Sequence, residues 1–292
     1  MAGHEDRRDE ADDHALSRLR QAKTAGLRGG DAVTATAVDW GNFSATPQDY
    51  AQRPAHAPTL LHTLKLEIAD KGFADFVVDL CAGTGNLTAT LASLGLGGYA
   101  IEPEAEMRRE ARRLNRDGAF QWRDGYAEAT GLPDNTASWI LIGNALQFVD
   151  AIKALGECSR ILKPGGFLTV LWNPRDIRSD AFQREIDQLI REACPAVRHT
   201  FTDTEAAIRP VEQSGHFRPY LYCERTDWHE MSVETFMATW RGAHYVPSQI
   251  GPQAWRDLLQ TIAARASTRD VLRTGWRTRA WTFRATPPDD GN

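Results

Sequence analysis

The chain has 292 residues, with 34 Lys and Arg against 39 Asp and Glu and a formal net charge of -5. That balance leaves no electrostatic footprint for nucleic acid or an anionic membrane. With 42% hydrophobic and 25% charged residues it reads as a soluble globular protein, long enough for one large α/β domain with a cap. No apolar run reaches the length of a membrane span, and the opening MAGHEDRRDEADDHA has no apolar core for a secretory leader. Cys81, Cys158, Cys194 and Cys223 lie far apart with no CxxC pair, so we expect free thiols in a reducing cytoplasm and no metal site.

Taken in order, residues 1–30 are highly charged and are expected to form a disordered tail. A helical segment should occupy 31–72. Its first helix begins at Thr46-Pro47-Gln48-Asp49, with Thr46 as N-cap, Pro47 at the first helical position and Asp49 as the returning carboxylate. A second helix, over about 57–70, places Leu61, Leu64 and Ile68 on one face.

Phe76 to Leu80 reads as a buried strand and Asn86 to Leu94 as a helix, joined by the small turn Cys81-Ala82-Gly83-Thr84-Gly85. Gly83 and Gly85 permit positive φ and close approach of backbone to a ligand. A dinucleotide fingerprint would need glycine at Cys81 and Asn86, and no Gly-Lys-Ser/Thr phosphate loop follows. Instead Asp79 stands before the turn. It would repel phosphates and suits a ligand bearing an ammonium and a sulfonium.

Asp-x-Cys-Ala-Gly-Thr-Gly resembles the glycine-rich first motif of the class I S-adenosylmethionine (SAM) dependent methyltransferases, of small-molecule type, with Cys81 replacing the motif's first glycine. The resemblance implies SAM as cofactor and S-adenosylhomocysteine as its product, with Cys81, Ala82, Gly83 and Gly85 forming the cradle. Gly98 to Ile101 is a second strand ending in Glu102-Pro103. Glu102 follows Gly83 by about 20 residues, the interval at which an acid meets ribose hydroxyls. Met107, Ala111 and Leu114 share one face of the next helix, opposite a solvated run of arginines.

After a third strand, Ala119 to Trp122, comes Asp124-Gly125-Tyr126-Ala127-Glu128. Family members have an acid here for the adenine amino group. The gapless match is Tyr126, so either Asp124 makes that contact or backbone and the Tyr126 ring do. Trp139 to Asn144 is a fourth, apolar strand; Asn144, Gln147 and Phe148 lie at its end, where the resemblance implies methyl group and substrate. Relatives often have His-Trp where Gln147-Phe148 stands. A helix over about 150–162 stops at Lys163-Pro164-Gly165-Gly166, and the fifth strand runs from Phe167 to Trp172. Glu157 to Trp172 resembles the corresponding family segment.

Five strand–helix repeats predict an α/β fold with a doubly wound, Rossmann-like, seven-stranded sheet: five parallel βα units plus a C-terminal antiparallel edge strand, with N- and C-terminal helical caps. The edge strand is assigned to Trp276–Arg284. The SAM-binding core is expected at 73–176, and substrate-covering helices with closing strands at 177–292.

Catalytic residues are weakly encoded, because in-line methyl transfer needs positioning more than a fixed triad. His244, in a loop beside Tyr245, is the first candidate for a general base, and His56 the second. Tyr50 and Arg53 resemble the family's Tyr-x-x-x-Arg-Pro and would close over the cofactor, Arg53 meeting its carboxylate. Asn173 and Arg175 are candidates for a substrate carboxylate or carbonyl. Trp40, Phe148, Trp172, Trp240 and Tyr245 are candidates for an aromatic pocket. The reading is a cytoplasmic methyltransferase, monomer or homodimer, that moves a methyl group from SAM to O, N or C of a small molecule, a specialised metabolite, with no nucleic-acid or membrane partner. The alternatives are a catalytically silent SAM-binding regulator or scaffold and an NAD(P)-dependent oxidoreductase.

Overall fold

The computed structural model describes residues 45–116, 118–195, 197, 204–244 and 246–286, the side chains of 204–207 excepted. The predicted tail at 1–30, the start of the predicted 31–72 segment, Trp40 and Tyr245 lie outside the described residues. The glycine turn leaves an inner strand of the sheet and is bonded to the end of its neighbour through the Ala82 N–H, which donates to the Ile101 carbonyl. β1 (Val77–Leu80) sits at the centre, flanked by β2 (Gly98–Ile101) and β4 (Ala137–Gly143). β3 (Phe120–Arg123), β5 (Leu162–Trp172), β6 (Phe217–Met231) and β7 (Leu272–Ala285) complete the order β3-β2-β1-β4-β5-β7-β6. The pairs among β1 to β5 are parallel; β7 runs antiparallel to β5, and β6 to β7.

Side chains alternate across the strands and divide the core in two. Val77, Trp139, Leu141, Phe167 and Leu171 face α2 (Pro58–Asp70) and α3 (Asn86–Ser93). Val78, Leu80, Ile140, Ile142, Leu168 and Val170 face α5 (Ala151–Ile161) and α7 (Thr204–Gln213). Leu61, Leu64 and Ile68 of α2 are buried, as their spacing predicts. A third cluster joins α6 (Ala181–Ala193), α8 (Val233–Arg241) and α10 (Pro252–Ala266) with Met231 and Leu272. The remaining helices are α1 (Pro47–Ala51), α4 (Ala105–Leu114) and α9 (Pro247–Ile250). Met107 and Ala111 of α4 are buried, but Leu114 is exposed at the helix end.

Two expectations change. Trp276–Arg284 lies within β7, which is antiparallel but not the edge. β6 pairs along its outer side from Phe217 to Met231 and takes the edge position. Many β6 side chains remain solvent-facing, while those of β7 are largely covered. Nor does Thr46 cap α1 through its side chain. Asp49 points to another element: the Arg241 guanidinium at the end of α8 grips both of its carboxylate oxygens at 3.0–3.2 Å. Gly242 continues that contact, since a Cβ there would stand 2.7 Å from the Tyr50 nitrogen. Only glycine lets α8 end so close to α1.

Candidate active site

The site is assembled at the carboxyl ends of the parallel strands, where ligands bind in doubly wound sheets. The chain leaves β1 through three left-handed residues: Cys81 at φ 60°, Gly83 at 59° and Gly85 at 83°. The two glycines do different work. A Cβ on Gly85 would come within 2.5 Å of Asn115 Nδ2 and 2.9 Å of the Trp122 ring, so this position is filled by the fold itself. A Cβ on Gly83 would meet only Tyr50 Cε1, at 3.8 Å. Gly83 thus faces a space roofed by Tyr50, of the kind a ligand needs to reach backbone.

Glu102 closes this cradle from β2. Its Oε2 accepts from the Gly83 N–H at 2.8 Å, and its Oε1 from the Glu104 N–H at 2.9 Å. Each oxygen keeps a lone pair for a further donor. Asp79 Oδ2 accepts from Thr88 Oγ1 at 2.5 Å, fastening β1 to α3. Both carboxylates are buried, Asp79 at 1% and Glu102 at 6% exposure, not at the solvent-reachable positions that strand ends suggest. Burial pushes Asp79 and Glu102 each up to about 7, against the pull of Thr88 on the first and of two backbone donors on the second.

The cover comes from α1 and the segment after it. Asn86, first residue of α3, donates from Nδ2 to the carbonyls of Arg53 at 2.8 Å and Ala51 at 3.4 Å. The sequence marks Asn86 as a missing glycine and as the start of a helix, and gives no sign of these partners. A polar amide at a helix start was the available signal, but its partners lie 33 and 35 residues back. The Arg53 guanidinium lies 5.5 Å from the ring centres of both Tyr50 and Trp276 and has no ion pair among the described residues. Burial raises the Tyr50 phenol above its ordinary range. Burial first, and Arg53 second, lower His56 to about 3 and His244 to about 4. The Arg53 charge acts on both imidazoles, and with burial it keeps both neutral at neutral pH.

The other candidates already have partners within the protein. Gln147 donates to the Asn144 carbonyl at 2.9 Å and accepts from Trp172 Nε1 at 3.2 Å, so it orients Trp172. Trp172 is buried in the core on the α5 side, edge-on to Trp281, and Phe148 packs against the same cluster. Asn173 Nδ2 donates to the carbonyls of Pro54 and Ala55, and its Oδ1 accepts from Thr278 Oγ1, all at 3.0 Å. That side chain ties β5, β7 and the N-terminal cover together. Arg175 donates to Thr239 and stacks on Trp240 at 3.7 Å and Trp276 at 4.9 Å. Asp124 is exposed and forked to Arg108 at 3.1–3.2 Å. Tyr126 bridges to Ala129, and Gly125 packs where a Cβ would lie 2.9 Å from Ile101. Pro103 follows Glu102 half-buried, and Met107 is buried in α4.

A β3-β2-β1-β4-β5-β7-β6 sheet, a glycine turn after an acid on β1, and a second acid at the end of β2 bound to that turn define a Rossmann-like α/β domain. Residues 78–170 match the family model described as "Methyltransferase domain". An uncharacterized methyltransferase of Mycobacterium tuberculosis is 35% identical over 151 residues, 51% of this chain and 58% of the relative. The chain thus spans little more than half the length of that relative. The ubiquinone/menaquinone biosynthesis C-methyltransferase of Escherichia coli is 41% identical over 103 residues, 32% of this chain and 41% of that protein. A solved structure from Anaeromyxobacter dehalogenans, provisionally named a type II methyltransferase, superposes with a TM-score of 0.61 at 18% identity. It covers 80% of this chain and 99% of that one, a likeness of fold alone. Among the described residues no helix is long and apolar enough to cross a membrane.

Proposed function

We propose that the protein transfers a methyl group from SAM to a small-molecule acceptor. The single observation that carries this reading is the Gly83–Glu102 pair: a backbone N–H bound to a buried carboxylate, beside a space roofed by Tyr50. The donor set fits SAM. Glu102 has lone pairs left for the two ribose hydroxyls. Asp79 adds latent negative charge near the turn, suited to a cationic ligand. Arg53 would take the amino-acid carboxylate and Tyr50 would cover it. Tyr126, with the backbone at Gly125 and Ala127, would border the adenine, since Asp124 is already paired with Arg108.

When bound, the cofactor supplies an electrophilic methyl on a sulfonium. The protein's share is to orient the acceptor, exclude water and hold the cofactor's charges. Positioning of this kind is worth about 7–11 kcal/mol for well-oriented partners. His244, lowered to about 4, would be a weak base at neutral pH, so we assign it a place in the acceptor wall and not proton removal. A small acceptor fits a site covered by α1 and by the loop carrying His244, and the net charge of -5 does not favour nucleic acid.

Calorimetric titration with SAM, S-adenosylhomocysteine and NADH tests the reading, followed by transfer of labelled methyl to a panel of small molecules. Binding of the first two ligands with NADH excluded is expected. Binding of NADH alone would overturn it. Binding of SAM with no transfer to any acceptor would favour a silent regulator.

A further inference from the structure

His56 is 4% exposed, and its two ring nitrogens are not equivalent. The backbone N–H of Asn173 donates to Asn144 Oδ1 at 2.8 Å. The Asn144 amide NH2 is therefore the group 3.2 Å from His56 Nε2. An amide NH2 only donates, so Nε2 accepts and the ring hydrogen sits on Nδ1. Nδ1 is buried and has no hydrogen-bond partner among the described residues. A buried N–H without an acceptor is costly and uncommon. The relay from Asn173 through Asn144 keeps the ring from turning to relieve it.

The location is informative. The His56 ring lies against Gly143 at the carboxyl end of β4, where a Cβ would come within 3.1 Å of Cε1. Asn144 follows at φ 56°. This is the end of the central sheet that faces the ligand crevice. Arg53, three residues before His56, has its guanidinium over the Tyr50 and Trp276 rings, and its charge acts on both His56 and His244. Because burial keeps both imidazoles neutral, they are poor proton acceptors. A fixed N–H donor that feels a guanidinium's charge favours an oxyanion and disfavours an ammonium.

We propose, resting on the methyl-transfer reading above, that His56 Nδ1–H donates to the acceptor's acidic oxygen, and that the acceptor binds as a phenolate or enolate and is not an amine. The anion supplies the electron pair of the new bond to the methyl carbon. The old carbon–sulfur pair stays with sulfur, leaving a neutral thioether. No proton has to leave during transfer, so a general base is not required.

The test uses the full chain labelled with 15N-histidine and saturated with S-adenosylhomocysteine, whose binding is measured first. Absence of that binding would overturn the methyl-transfer reading itself, and this proposal with it. The His56 signals should show a protonated Nδ1 and a bare Nε2 at neutral pH; the reverse pattern overturns the proposal. 4-Nitrophenolate is then titrated, with benzylamine as the competing class. 4-Nitrophenolate should bind saturably and shift the Nδ1–H resonance. His56→Phe, which keeps an aromatic ring, should weaken that binding about tenfold or more. Unchanged affinity in His56→Phe, no shift of Nδ1–H in the wild type, or tighter binding of benzylamine would each show the proposal to be wrong.

Discussion

The side-chain amide of Asn86 donates to the carbonyl of Arg53 at 2.8 Å, so the first residue of the helix after the glycine turn holds the end of the segment that covers that turn. One amide thus couples cradle and lid. Asn86→Ala should cost about 1 kcal/mol of stability, the net worth of an ordinary hydrogen bond. It should also weaken SAM binding by about fivefold, the same energy read as an affinity. Thermal unfolding and calorimetry measure the two. An unchanged affinity would mean that α1 is not part of the cofactor's cover.

Gly83 and Gly85 should separate ligand binding from folding. Gly83→Ala meets open space apart from the Tyr50 ring, so only the left-handed backbone is strained, at about 1 kcal/mol. Its methyl group would, however, occupy the cradle, and SAM affinity should fall tenfold or more, roughly the worth of one lost polar contact. Gly85→Ala drives a methyl group into Asn115 and Trp122 and should destabilise by about 2–4 kcal/mol. Denaturant melts of both variants decide it. Equal stability loss would contradict the assignment of Gly85 to packing.

Stability and cofactor binding should respond to pH in opposite directions. Burial raises Asp79 and Glu102 each to about 7, whereas unfolded carboxylates ionise near pH 4. Between about pH 4 and 7 the folded chain holds more protons than the unfolded chain, so these two groups make stability fall as pH rises, and the loss is complete above about 7. A cationic ligand favours the ionised carboxylates. SAM binding should therefore tighten as pH rises toward 7 and release protons below it. Calorimetry in two buffers of different ionisation enthalpy counts those protons. Asp79→Asn should roughly halve the slope of the stability profile, leaving the Glu102 share, and gain about 2 kcal/mol at pH 8, since the neutral amide escapes the burial penalty and can still accept from Thr88. It should bind SAM more weakly. A slope unchanged in Asp79→Asn would count against the raised Asp79 carboxyl.

Cys81 sits at φ 60°, a conformation that is strained for a side chain and free for glycine. Cys81→Gly should stabilise the protein by about 0.5–1 kcal/mol, the strain relieved less the extra freedom of glycine in the unfolded chain. Differential scanning calorimetry should show a rise in Tm. A fall would mean that thiol packing against the core on the α5 side outweighs the strain.

The parts of this protein that follow from the sequence alone are those set by short-range physics. The apolar run of β1, the glycine turn, the end of α5 just before Lys163 to Gly166 and the helix faces of α2 follow from side-chain period and from allowed backbone angles within a few residues. The strand β5, however, already begins at Leu162 and not at Phe167. Glu102 was legible because its distance from the turn is a property of one βα unit. The tertiary structure alone decided which polar groups were left for a ligand. Asn173 meets Pro54 across 119 positions, Arg175 meets Thr239 across 64, and β7 enters between β5 and β6 because β6 pairs along its outer side. The depth at which Asp79 and Glu102 lie, and the hydrogen that Asn144 forces onto Nδ1 of His56, arise the same way. No local pattern encodes such partners, because the energy of a buried hydrogen bond or charge depends on what the rest of the fold brings to it.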